Sequence, residues 1–270
     1  MGARKSSGVR LVASAEVSPS VPGRRIPSSE AVAIDLLFSI REGDMPKLRR
    51  LLYDEPDLVT ARFVGRGDGT RTALHIVTDW PGYFPNGPEV ADLLITGGAD
   101  PDARTTGKSP EPGPGDETPL HWAASSDDAD VAAVLIEAGA DVEAPDGSIG
   151  TPLDNAVGYC CWHVARLLVA RGARVERAWQ AAALGLLPQL VTLLGDKPEP
   201  EVVNQAFWHA CAGGQRCAAE ALVARGADLN WEPDYARGTP LDQVTHLSTR
   251  RENVATWLKE LGARSDSAGE

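Results

Sequence analysis

Thr118-Pro119-Leu120-His121 opens a stretch that closes at Gly139-Ala140-Asp141, and Thr151-Pro152-Leu153-Asp154 opens another that closes at Gly172-Ala173-Arg174. The two markers keep one interval: Thr118 to Thr151 is 33 residues, and so is Gly139 to Gly172. Each residue in them has a local job. Threonine caps a helix with its hydroxyl, and proline fits the first helical turn, where its missing N–H costs nothing. The leucine points into a core. A histidine in the fourth position can hydrogen-bond neighbouring backbone and tie one unit to the next. Glycine ends a second helix in the left-handed conformation. Between the markers, Ala123-Ala124 lets two helices lie close, while Val131, Val134, Leu135 and Ile136 supply the apolar face of the second. The unit is a helix, a turn and a second helix, stacked on its neighbours.

Working outward, Thr239-Pro240-Leu241-Asp242 with Gly262-Ala263-Arg264 repeats the pattern near the C-terminus. Thr72-Ala73-Leu74-His75 with Gly98-Ala99-Asp100 repeats it upstream with one residue changed. That upstream unit is enlarged. Thr72 to Gly98 is 26 residues against 21 from Thr118 to Gly139, which places five extra residues between its helices, within Trp80–Pro88. Gly98 to Thr118 is 20 residues against 12 from Gly139 to Thr151, so the following finger is longer too. Its Pro- and Gly-rich part, Thr105–Gly115, is expected to be mobile. From Gly172 to Gly226 there are 54 residues, which fit two helical pairs with trimmed fingers, Ala178–Leu194 and Gln205–Val223. Neither keeps Thr-Pro-Leu. Each keeps a glycine between its helices, Gly185 and Gly214. At the ends, Ala31–Leu52 reads as an N-terminal capping unit with Asp44 as helix cap. Arg250, Arg251, Glu252, Lys259 and Glu260 put charge on a C-terminal one.

A T-P-L-H-x-A motif at a 33-residue period is the ankyrin signature. By its Thr-Pro-Leu-His and Gly-Ala-Asp markers the chain resembles the ankyrin-repeat family from residue 30 to 264. The resemblance implies an all-α ankyrin-repeat solenoid of about seven helix-turn-helix units with N- and C-terminal capping repeats. Residues 1–29 and 265–270 are expected as disordered tails. Three segments look like a group of bacterial ankyrin-repeat proteins: Asp79-Trp80-Pro81-Gly82, His121–Asp128 and Phe207-Trp208-His209-Ala210-Cys211. That group brings no agreed activity with it. The wider family is similar in using its concave face and finger tips to bind protein partners. The departures at Ala178 and Gln205 leave the curvature of the C-terminal half open.

Charge narrows the partner class. Net charge is −12, yet residues 1–29 hold five basic side chains against Glu16 alone, so the tail is +4 and the remainder −16. An acidic body repels phosphate backbones, which argues against nucleic acid. No apolar run approaches the roughly 18 residues that span a membrane. Leu11-Val12-Ala13 sits in too short an apolar stretch for a signal peptide, although Ala13-Ser14-Ala15 mimics a cleavage site. The start Met-Gly-Ala-Arg-Lys-Ser fits a short myristoylation pattern of low specificity. Cys160, Cys161, Cys211 and Cys217 show no C-x-x-C spacing and read as reduced thiols in a cytoplasmic monomer.

In a solenoid each motif position forms a row. The residue after position four lies on the inner helix and gives Ile76, Trp122, Asn155, Gln180, His209 and Gln243. Three places later come Asp79, Ser126, Tyr159, Leu184, Gly213 and Leu247. Asp79, Trp80, Trp122, Asn155, Tyr159, Gln180 and His209 are therefore expected to share a concave groove that binds a protein or peptide partner. Aromatic anchors among amides are what binding hot spots use. Trp162, Trp179 and Trp208 are expected to pack rather than bind. Asp127, Asp128 and Asp130 replace the usual Gly-His turn, and helix capping accounts for them. An alternative is a small-molecule or enzymatic pocket on the groove, drawing on His121, Asp127, Asp128, His163 and His209. The sequence has no G-x-S-x-G, H-E-x-x-H, phosphate-cradling glycine loop or zinc-like spacing, so no catalytic residue, metal or cofactor is assigned.

Overall fold

The computed structural model describes residues 23–107, 117–245 and 251–266. Among them, fourteen α-helices follow one another in seven pairs. The first three are α1 (Ala31–Glu42) with α2 (Met45–Asp54), α3 (Ala73–Val77) with α4 (Gly87–Thr96), and α5 (Pro119–Ser126) with α6 (Ala129–Glu137). Next come α7 (Pro152–Gly158) with α8 (Trp162–Ala170) and α9 (Ala178–Ala183) with α10 (Leu187–Leu194). The series ends with α11 (Pro200–Ala212) and α12 (Arg216–Val223), then α13 (Pro240–Thr245) and α14 (Glu252–Glu260).

The helices begin where the caps say. At Thr72, Thr118 and Thr151 the hydroxyl faces the backbone three residues on, while the fourth motif residue reaches back to the cap N–H. Asp44 caps α2 by accepting from the Lys47 N–H. Gly139 (φ 95°) and Gly172 (φ 97°) close their pairs in the left-handed region that a side chain would strain.

Position four then stitches neighbours together. His75 accepts from the Thr72 N–H through Nδ1 at 3.2 Å and donates from Nε2 to the Glu117 carbonyl at 3.0 Å. His121 does the same with Thr118 and the Gly150 carbonyl. Where Asp154 stands in the slot, it accepts from the Thr151 N–H and from Gln180 Nε2, each at 2.9 Å. In the sixth pair, one of the two that lack Thr-Pro-Leu, Trp208 donates Nε1 to the Gly238 carbonyl at 2.9 Å. A different donor keeps the same stitch.

Burial follows this frame in two apolar clusters. One runs from Ile26 to the fifth and sixth pairs and takes in Trp179 and Trp208. The other begins at Ala178 and ends at Leu258. They meet at α9 and α11, whose faces divide between them.

Beside the helices lies a small sheet that no sequence period announces, of β1 (Arg25–Pro27), β2 (Arg62–Val64) and β3 (Thr70–Arg71), in that order. β1 runs parallel to β2, and β3 runs antiparallel to it. The tail expected to end at residue 29 is therefore structured from Arg25. Ile26 and Phe63 are buried, and backbone pairing fixes the strand. At the other end, Ser265 bonds the Asp242 carboxylate, and the Asp266 N–H donates to it at 3.0 Å. Residues 1–22 and 267–270 lie outside the described residues. So does the finger from 108 to 116, along with Arg250 and Leu247. α11 also starts five residues earlier than expected, with Pro200 in its first turn.

Candidate functional site

The five residues added to the second pair shape the site. Asp79 Oδ1 accepts from the Trp80 N–H at 3.0 Å, and the Gly82 N–H donates to the Asp79 carbonyl at 2.8 Å. The loop then reaches both ways. Asn86 donates to the Gly43 carbonyl behind it at 2.9 Å. Ahead, the Tyr83 N–H donates to Asp128 at 2.7 Å and its hydroxyl to the Asp127 carbonyl at 2.5 Å. Gly82 sits so close to Ser126 that an added Cβ would stand 3.1 Å from that residue's carbonyl oxygen. Trp80, held at the tip of this brace, is 76% exposed.

Beside it lies a cleft of about 270 Å³, lined among others by Asp79, Trp80, Glu117, Trp122, Ser125 and Tyr159. Trp122 is half-buried. Its ring meets the edge of His75 at 5.2 Å, and the Arg71 guanidinium lies 6.0 Å from its centroid. Its indole N–H is shielded and has no acceptor among the described residues. Asp79 is anchored from behind by Arg41 at 2.7 Å and Arg71 at 3.1 Å. Trp122 and Glu117 also wall a second cleft, of about 510 Å³, toward Phe63, Thr70, Arg71 and Thr106. Tyr159 is 50% exposed, and its hydroxyl lies 3.3 Å from Ser148 Oγ.

Four of the seven expected contact residues, Asp79, Trp80, Trp122 and Tyr159, thus face one cleft. The other three do not. Asn155 is fully buried: it accepts from the Ile149 N–H and donates to Glu117 Oε1, both at 3.0 Å. It positions a cleft residue rather than meeting a ligand. Gln180 is buried, with its oxygen capping the N–H groups of Glu176 and Arg177 and its nitrogen on Asp154. His209 lies beneath Tyr235, 4.8 Å from Trp179 and 4.9 Å from Trp208. Burial drives its pKa down to about 3, and Nδ1 has no partner among the described residues. Position five turns outward only where no finger or cap claims it. Glu117 and Ser148, which sequence reasoning missed, come from fingers whose path no periodicity reports.

The aspartates between the helices are structural. Asp128 caps α6 by accepting from the Val131 N–H at 3.1 Å. Asp127, in the left-handed region at φ 58°, caps the next pair instead. It accepts from the N–H groups of His163 and Val164 at 2.9 and 3.0 Å and from His163 Nδ1 at 2.7 Å. Burial pushes the Cys161 thiol up to about 12 and raises Cys160 and Cys211 as well, so none of these is a poised thiolate. No group of three or more His, Cys, Asp or Glu among the described residues is placed to hold a metal ion. No described helix is long and apolar enough to cross a membrane.

No curated protein matches the chain. The family described as ankyrin repeats (3 copies) matches residues 83–178, a span that contains the regular 33-residue units and two walls of the cleft. Repeats of this family are protein–protein interaction modules. Residues 83–178 are thus ankyrin repeats, and the capped helical pairs with the stitches between them continue on both sides of that span.

Proposed function

We propose that this ankyrin-repeat protein captures a protein partner in the cleft that Trp80, Trp122 and Tyr159 share. One observation carries the reading: three aromatic side chains from three successive pairs line the cleft, and two of them, Trp80 and Tyr159, are at least half exposed. Exposed aromatic surface beside a cleft is an unspent source of binding free energy. The bracing of the Trp80 loop on both sides keeps it in place before a partner arrives, which lowers the ordering cost of association. The proposal places the chain in a reducing, cytoplasmic compartment as a monomer, consistent with four unpaired cysteines.

Selection of a random peptide library on the full chain tests the reading. Selected peptides should lose at least about tenfold in affinity against Trp122→Ala. They should keep their affinity for Phe38→Ala, a change at an exposed aromatic on the first pair. Both variants should melt near the parent. Binding that is indifferent to Trp80 and Trp122 overturns the assignment.

The enzymatic alternative fares less well. None of His121, Asp127, Asp128, His163 or His209 lines this cleft. His121 spends both ring nitrogens on backbone, and Asp127 and Asp128 are helix caps.

A further inference from the structure

The chemistry of the cleft walls says more about what enters it. Its lining carries two carboxylates, Asp79 and Glu117, and no basic side chain. Asp79 is already neutralised by Arg41 and Arg71, so Glu117 is the acid that matters. Glu117 is held rigidly: Oε1 accepts from the Ser148 N–H at 2.9 Å and from Asn155 Nδ2 at 3.0 Å. Its Oε2 has no partner among the described residues. Trp80, Trp122, Tyr159, Ser125 and Ser148 line the same cleft.

Aromatic faces attract cations through their quadrupole, and a fixed carboxylate beside them adds charge and direction. A neutral apolar anchor would use the rings and leave Glu117 Oε2 desolvated without a partner, which costs free energy. An acidic anchor would meet Glu117 directly. A planar guanidinium meets both demands: it stacks on a ring while its N–H fork donates to the carboxylate and the hydroxyls, which a compact ammonium does less well. The chain contains a weaker precedent, since Arg71 lies over the Trp122 ring and pairs with Asp79. The −16 carried beyond the tail favours approach by basic segments in general.

We infer that the cleft receives an arginine side chain of a partner protein, stacked among Trp80, Trp122 and Tyr159 and paired with Glu117. The inference rests on the reading of this cleft as the partner site and adds the identity of its anchor.

The same library selection, counter-selected on Trp122→Ala, tests it. Peptides that depend on Trp122 should share an arginine. In synthetic versions titrated against the full chain, replacing that arginine by citrulline, which keeps the shape and loses the charge, should weaken binding about tenfold. Glu117→Gln preserves an acceptor for Ser148 and Asn155. It should weaken the arginine peptide about tenfold while leaving the citrulline peptide unchanged, so that the two effects do not add. Unaltered melting of Glu117→Gln separates this from loss of structure. If Trp122-dependent peptides lack a common arginine, or tolerate citrulline, the anchor is wrong while the partner site stands. If no selected peptide depends on Trp122, both fall.

Discussion

His75 and His121 use each ring nitrogen for backbone, with Nδ1 accepting inside their own repeat and Nε2 donating to the next. Both must stay neutral to do so, and burial lowers both pKa values, His75 to about 3. His209 is lowered to about 3 by burial alone. The unfolded chain takes up these protons below pH 6.5 while the native state refuses them, so stability falls as pH falls from 6.5 toward 3. Each strongly shifted histidine removes about 2 kcal/mol by pH 5. Urea midpoints at pH 7 and pH 5 measure the loss, and His209→Phe should reduce it, since Nδ1 there has no partner among the described residues and Nε2 has only the Tyr235 hydroxyl at 3.3 Å. A pH-independent midpoint would show that the imidazoles are not held neutral. His121→Ala removes the cap contact and the stitch together and should cost about 2 kcal/mol at pH 7. Trp208→Phe, which loses the bond to Gly238 and part of a buried ring packed on His209, should cost about 2 kcal/mol or more in the same assay.

Asp127 shows how one element depends on another's residue. α8 starts at Trp162 with Cys161 in its cap position and no side-chain cap of its own, and Asp127 of the preceding pair supplies the acceptor. Asp127→Gly keeps the left-handed backbone free of strain and removes the carboxylate. It should cost about 1 kcal/mol and raise amide exchange in the first turn of α8 more than in α6. Equal exchange in both helices would refute a cap acting across the repeat boundary. Elements of this kind were legible in the sequence to different depths. Thr118-Pro119-Leu120-His121 announces its helix because cap, proline and stitch act within four residues. β2 was not legible: Arg62-Phe63-Val64 is too short to show a period of two, and its partner Arg25–Pro27 lies far upstream. The groove row failed at Asn155 and Gln180 for a related reason. A motif position tells which face a residue starts from, but not whether a finger or a neighbouring carboxylate will claim it.

At the scale of the whole molecule, two apolar clusters meeting at α9 and α11 make a stack whose halves share a boundary rather than a single centre. Contacts in such a stack reach only neighbouring units, so the halves can open with different free energies. Leu222, fully buried in the second cluster, tests this. Leu222→Ala should cost about 3 kcal/mol and strip exchange protection from α11–α14, while α3–α8 keep theirs. Uniform loss along the chain would mean one cooperative core. The sheet at the other end bears on a different fate. β1 is one of its two outer strands, and Arg24 and Ser28 turn their backbone groups toward β2. By alternation Arg25 and Pro27 turn theirs away, and Pro27 has no N–H to offer. A second copy that tried to continue the sheet would find a missing donor beside a charged side chain. Strand-by-strand aggregation at high concentration is thus discouraged along the β1 edge of the sheet.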